Sequence, residues 1–437
     1  MATDIALRWV ASCPASAWTD QTVSATTGGQ ASLRLSGARH QRIEGFGGCF
    51  NELGWRALSA LDEPARDAVL RELFDPVVGC RFAVCRVPIG ANDFATSWYS
   101  HNETDGDYAM DAFSIERDRS ALLPYIGAAL AHRPDLTLFA SPWSPPTWMK
   151  HPCAYNYGTL RWEGRVLDAY ALYLARFVEA YKAEGVRIHQ VHVQNEPTAD
   201  QKFPSCVWTG AQLRDFIRDY LGPTFHDRAV EAEIWLGTIN SASYDDYAHL
   251  VLSDAGARAY IAGVGYQWAG KEAIQRTYES WPALRLMQTE SECGDGANSW
   301  AYAHYTFGLL RHYVSNGAAS YVYWNMALAP GGMGTWGWRQ NSLFTVDPQT
   351  REVRRTPEFY VMKHVAHFVS PGAVRLGLTG PWAANAIAAE NPDGQTVVVV
   401  NNPFDEPRPL TVGDERCAAS VTLAARSINT LVLNPAT

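Results

Sequence analysis

Residues 186–197 read VRIHQVHVQNEP and residues 284–290 read LRLMQTE, two alternating apolar runs that each stop at a glutamate. Valine and isoleucine at 186, 188, 191 and 193 favour a strand. Period-2 geometry puts Val191 and Val193 on one face and His192, Gln194 and Glu196 on the other. Pro197 cannot donate to a ladder, so the strand must end there. Two carboxyl groups at strand ends are what glycoside hydrolysis needs: one protonates the leaving oxygen, and the other attacks C1 or activates a water. Taken singly, each glutamate could equally cap or salt-bridge its loop. As a pair, with Trp143, Trp324, Trp336 and Trp338 around them, they favour a glycosidase.

The elements that must hold such a pair repeat along the chain. Strand patterns fall at 42–47, 80–89, 136–143, 187–196, 233–239, 260–268, 284–290 and 319–326. Helical patterns follow them at about 52–73, 115–132, 165–184, 209–221, 244–254, 270–280, 300–315 and 357–369. The third helix is the clearest, with Val166, Tyr170, Tyr173, Phe177 and Tyr181 at helical spacing as core residues. Eight strand–helix units in sequence predict a closed (β/α)8 barrel, whose chemistry collects at the C-terminal ends of the strands. Before residue 41 there are only short alternating pieces, such as 5–10 and 31–35. After Pro371 the helices stop, and 386–390 and 395–400 flank an Asn-Pro-Asp-Gly turn. The expectation is therefore a barrel over 41–371 and a β-sandwich side domain built from 1–40 and 372–437.

The other strand ends supply candidate walls. Residues 45–52, GFGGCFNE, lack the third glycine of a dinucleotide fingerprint, so tight turns are the better account. Asp93, in PIGANDF, could accept substrate hydroxyls or could be an ordinary turn residue. SPWSPPTWMK, over 141–150, makes a stiff aromatic loop around Trp143.

Composition narrows the partners. A formal charge of −9 without any Lys/Arg run argues against nucleic acid, while 12% aromatic residues suit stacking on sugar rings. Eight cysteines without a CxxC indicate neither a disulfide scaffold nor a zinc site, and no metal or organic cofactor is expected. No apolar run approaches the ~18 residues of a membrane span. The first residues lack a basic and an apolar signal region, so a cytoplasmic protein is expected, or a secreted one if a leader was trimmed. Nothing in the sequence specifies an oligomeric state.

Five motifs in order, IEGFGGCFNE, SPWSPPTWMK, VQNEP, QTESECG and YWNMALAPGG, resemble glycoside hydrolase family 30, which includes glucosylceramidases and β-1,6-glucanases. The resemblance runs from about 42 to 368, with the terminal strands resembling the family's side domain. It implies the barrel-plus-sandwich fold and a retaining mechanism on β-glucosides, with Glu196 as acid/base and Glu290 as nucleophile. It implies that Asn195 bonds the sugar 2-OH and that Asp93, Trp143 and Trp324 line the subsite of the attacked sugar. Tyr266, Gln267 and Asn341 match less closely as substrate contacts. Two departures stand out. Glu292, two residues past Glu290, offers a second candidate nucleophile, and Gln267 replaces a histidine common in relatives. The same mechanism on another sugar (β-xylosidase, β-fucosidase or galactanase) and a non-catalytic sugar-binding barrel are the alternatives.

Overall fold

The computed structural model describes residues 7–22, 24–25, 31–413 and 418–433. Eight parallel strands close into a barrel: β1 (Gly45–Cys49), β2 (Val84–Ile89), β3 (Thr137–Pro142), β4 (Gln190–His192), β5 (Glu233–Ile239), β6 (Ile261–Gln267), β7 (Arg285–Glu290) and β8 (Ala318–Asn325). β8 returns to pair with β1 through Ser320 opposite Gly45, so no strand edge is left open. All eight predicted strands are present.

Side chains on alternate residues fill the barrel. Val84, Phe139, Trp235, Met287 and Val322 form an apolar plug inside it. Two residues further along β2 and β3, Arg86 and Ser141 begin a polar layer. The ring of Trp235 claims the space beside Gly263, where a Cβ would come within 2.4 Å of it. His192 claims the space beside Gly265 in the same way, at 2.7 Å. Glycine in β6 is thus the counterpart of large rings in β4 and β5.

Helices clothe the outside. The single helix expected over 52–73 is two, Glu52–Leu58 and Glu63–Phe74, because Asp62 caps the backbone N–H of Ala65 and a proline opens the second one. Strands from both terminal parts of the described chain meet in one ten-stranded sheet. Its order is Ser16–Gln21, Leu7–Cys13, Ser427–Leu433, Thr396–Asn402, Ala386–Glu390, Val374–Thr379, Leu33–Arg42, Arg408–Gly413, Ala418–Leu423 and Ser24–Ala25. Alternation gives this sheet two apolar faces. Val397 and Val399 join the barrel's core, while Val398 and Val400 pack into a second core with Trp9, Leu410, Leu423 and Leu431. The piece expected at 5–10 lies partly outside the described residues, as does Cys417. Among the described residues, no helix is long and apolar enough to cross a membrane.

Candidate active site

β4 is regular only over three residues, but its hydrogen bonding continues irregularly to the glutamate. Val193 and Gln194 donate to Trp235 and Gly237, Asn195 donates back to Pro142, and Glu196 donates to Thr238. Glu196 has φ +48°, in the left-handed region that a branched or bulky residue avoids. This turn achieves what strict alternation would prevent, bringing the consecutive side chains of Asn195 and Glu196 into one site.

Arg86 organises that site from β2. Its guanidinium is fully buried and reaches four other barrel strands near their ends. Nη1 donates to Glu290 Oε2 at 2.8 Å and to Gln267 Oε1 at 3.2 Å, and Nη2 donates to Asn195 Oδ1 at 2.7 Å and Ser141 Oγ at 2.8 Å. The Trp143 ring lies 4.4 Å from the guanidinium carbon and that of Trp324 5.5 Å. Arginine supplies the planar fork that fits between these aromatic faces, and lysine could not.

Gln267 joins the two acids. Its Nε2 lies 3.1 Å from Glu196 Oε1 and 3.5 Å from Glu290 Oε2. One nitrogen in reach of both oxygens keeps them no further apart than the sum of those distances. That ceiling is compatible with the ~5–5.5 Å of retaining enzymes and leaves out most of the ~6.5–9.5 Å inverting range. Glu290 Oε1 also accepts from the indole of Trp268 at 3.1 Å.

The electrostatics separate the two carboxyl groups. Burial, then the charge of Glu290, pushes the pKa of Glu196 up to about 8, against the weaker pull of Gln267 and Arg86. Burial raises that of Glu290 too, but Arg86 and the Trp268 N–H oppose it directly. Asp93 is raised by burial first and by Glu290 second. Of the two acids only Glu290 has a cation bonded to it, which favours placing the proton shared by the pair on Glu196.

A cavity of about 420 Å³ opens over these groups, lined by Asp93, Trp143, Glu196, Glu290, Trp268 and Trp338 among others. Asp93 is free to face it because the turn belongs to its neighbour: Asn92 Oδ1 accepts the backbone N–H of Phe94 at 2.8 Å. Trp324 is buried behind the wall, 5.4 Å from Trp143. Trp336 instead stacks on Trp98 at 5.7 Å.

Two expected contacts are corrected. Tyr266 points out of the barrel into the helical layer, where its hydroxyl pairs with Thr277; period 2 sends Gln267 inward and Tyr266 outward. Asn341 is fully buried behind the site, accepting from the backbone of Gly296 and Asn298 and donating to Glu358. It clamps two loops together, and its neighbour Gln340 lines the cavity instead. Glu292 is engaged elsewhere, in an ion pair with Lys271 at 2.6 Å.

Arg86, Trp268, Phe203, Asn240 and Gln340 were not anticipated. For Arg86 a signal existed: an arginine within RFAVCRVPIG, an otherwise apolar strand, has to be paired inside the barrel. Trp268 stands at the very end of the strand pattern 260–268, and the other three come from loops without periodicity.

Known proteins share this arrangement of domains. The model of the glycosyl hydrolase family 30 TIM-barrel domain matches residues 43–369, and that of the family 30 β-sandwich domain matches 372–431. Lysosomal acid glucosylceramidase of Mus musculus is 29% identical over 406 residues, 86% of this chain and 78% of that protein. An endo-1,6-β-D-glucanase of Neurospora crassa is 27% identical over 397 residues, 86% of this chain and 81% of that protein. The crystal structure of SrfJ from Salmonella typhimurium superposes with a TM-score of 0.91 at 25% identity, covering 98% of this chain and 99% of that one. An endo-β1,6-glucanase structure has the same fold, with a TM-score of 0.87 at 23% identity over 98% of each chain. With both domain models matched in order, the chain belongs to glycosyl hydrolase family 30 and is a glycoside hydrolase.

Proposed function

We propose that this enzyme hydrolyses β-glucosides with net retention, Glu290 attacking the anomeric carbon and Glu196 serving as acid and then base. The observation that carries the reading is the Gln267 amide within reach of both carboxylates while Arg86 bonds only Glu290. Glu196, protonated, donates to the leaving oxygen as Glu290 forms the C1–O bond and the glycosidic bond breaks. The resulting ester carries no charge, so the pKa of Glu196 falls and it can take a proton from the incoming water. Water adds to C1, the ester bond breaks, and Glu290 is released as a carboxylate. Asn195, held by Arg86 and by Thr238 at 3.2 Å, is oriented for the sugar 2-OH, a contact that strengthens as C1 becomes oxocarbenium-like. Asp93 and Trp143 hold the rest of that ring.

A glucosyl unit is the choice because the names of the mouse and Neurospora relatives share it. Exo-action on small β-glucosides or oligosaccharides is the preferred mode. A panel of aryl β-glycosides (glucoside, xyloside, galactoside, fucoside) followed by NMR tests this directly. Glucoside turnover with the β-anomer formed first is expected. An α-anomer formed first would sink the covalent mechanism and leave Glu290 activating water. Glu290→Gln should abolish turnover with the fold intact. Glu196→Ala should spare the first step for good leaving groups and be rescued by azide.

A further inference from the structure

Trp268 combines three features that the reaction as described leaves unused. Its backbone lies at φ +48°, an uncommon conformation for a bulky side chain that must be held by its surroundings. Its indole N–H donates to Glu290 Oε1 at 3.1 Å, on the carboxylate oxygen that Arg86 does not touch. Its carbonyl accepts from Lys271 Nζ at 3.3 Å, and that same ammonium is paired with Glu292 at 2.6 Å. Lys271 is further tied down through its own carbonyl, which accepts from His312 at 2.7 Å.

We propose that Trp268 is a positioning residue for the attacking carboxylate, its ring held on Glu290 by a Glu292–Lys271 ion pair that braces the strained turn carrying it. The inference rests on Glu290 being the nucleophile. It gives the second glutamate of TESE a role, in which Glu292 orients the nucleophile from two steps away. Both oxygens of Glu290 are then fixed, Oε2 by a cation and Oε1 by a donor that cannot ionise. Carboxylate rotation, which would aim the lone pair away from C1, is suppressed. A near-attack geometry held in this way raises kcat more than it lowers KM.

A pH profile reads this out, because a donor to the ionised form favours that form. The groups facing Glu290 are Arg86 from β2, Asp93 from the loop after it, Glu196 from the end of β4, Cys49 from β1 and Cys293 from the loop after β7. None of these is altered by removing the indole N–H. Without that donor Glu290 holds its proton to higher pH, so the acid limb of kcat/KM moves up. The basic limb, set by Glu196, stays.

The experiment measures kcat and KM against pH on an aryl β-glucoside for the full chain and for Trp268→Phe, Lys271→Met and Glu292→Gln. Trp268→Phe keeps the aromatic wall and should lose about 10-fold in kcat, as expected for one hydrogen bond to a charged group, with the acid limb raised and KM little changed. Lys271→Met and Glu292→Gln, both in a largely buried ion pair, should lose a few-fold and shift the same limb in the same direction. They serve as the test if Trp268→Phe fails to fold. An unmoved acid limb in the folded variants, or a loss confined to KM, would overturn the proposal. Abolished turnover in folded Glu292→Gln would overturn it too, by making Glu292 the nucleophile. If the unaltered chain turns over no glycoside at all, the glucosidase reading fails first and this one with it.

Discussion

Glu196 and Glu290 are the same residue type at corresponding strand ends, yet their surroundings differ in kind. Glu290 is the last residue of β7 and pairs with Gln267 of β6, and its carboxylate meets a buried arginine, an indole and an amide. Glu196 follows an irregular stretch in a left-handed turn, and among the described residues its carboxyl group receives only the amide of Gln267. A carboxylate surrounded by donors is stabilised as an anion; one that is buried with a single neutral donor keeps its proton. In the proposed mechanism the division of labour therefore follows from what stands beside each acid, with identical side-chain chemistry at both positions.

Arg86→Lys strikes the asymmetry at its source and should have the largest effect after loss of the acids themselves. An ammonium keeps the charge but cannot serve Glu290, Asn195, Gln267 and Ser141 together. A loss of roughly 10²–10³ in kcat/KM is expected, comparable with removing a preorganised donor from a transition-state site. Steady-state kinetics with a thermal melt would decide it. Activity within a few-fold of the parent enzyme would mean that charge alone distinguishes the acids.

Glu196→Gln sharpens the contrast through stability. The folded pKa of Glu196 is raised to about 8 from an ordinary 4.5, so the folded chain keeps a proton that the unfolded chain releases. Stability therefore falls as pH rises through that interval, because the native state binds more protons than the unfolded one. Glutamine removes this ionisation. The melting temperature of Glu196→Gln should match the parent near pH 4 and exceed it increasingly up to about pH 8, while activity is lost. A constant difference across the range would contradict protonation of Glu196 as the cause. The parent's activity should follow a bell, rising as Glu290 ionises and falling as Glu196 does.

Both acids could be found in the sequence because alternation and Pro197 mark where strands stop, and the barrel could be found because eight such stops recur. What period 2 does not report is a residue that leaves the ladder. Asn195 and Glu196 both enter the site only through a left-handed turn, and Trp268 reaches Glu290 through another. Asp93 was ambiguous for a local reason: either of two adjacent Asx residues could make the turn, and Asn92 makes it. Asn341 belongs to a loop at the rim of the site, but burial against Glu358 assigns it to holding that loop. The cavity walls at Phe203, Asn240 and Gln340 come from three separate loops, and only the closed barrel brings them together.

The smallest predicted effect concerns two neighbours on β6. Gln267 faces inward and touches both acids, whereas Tyr266 faces outward and bonds Thr277 in the helical layer. Tyr266→Phe removes one buried neutral hydrogen bond and leaves the Thr277 hydroxyl its contact with the Ala273 carbonyl at 3.3 Å. The cost should be about 1 kcal/mol of stability with kcat and KM within roughly two-fold, the scale of a change that alters no transition-state contact. Denaturant melts and kinetics on the same preparations separate the two terms. A large loss of kcat at unchanged stability would mean that the outward face of β6 communicates with the acids. Parity along the strand would then no longer divide structural from catalytic residues, and the contrast between the two glutamates would have to include the helical layer behind them.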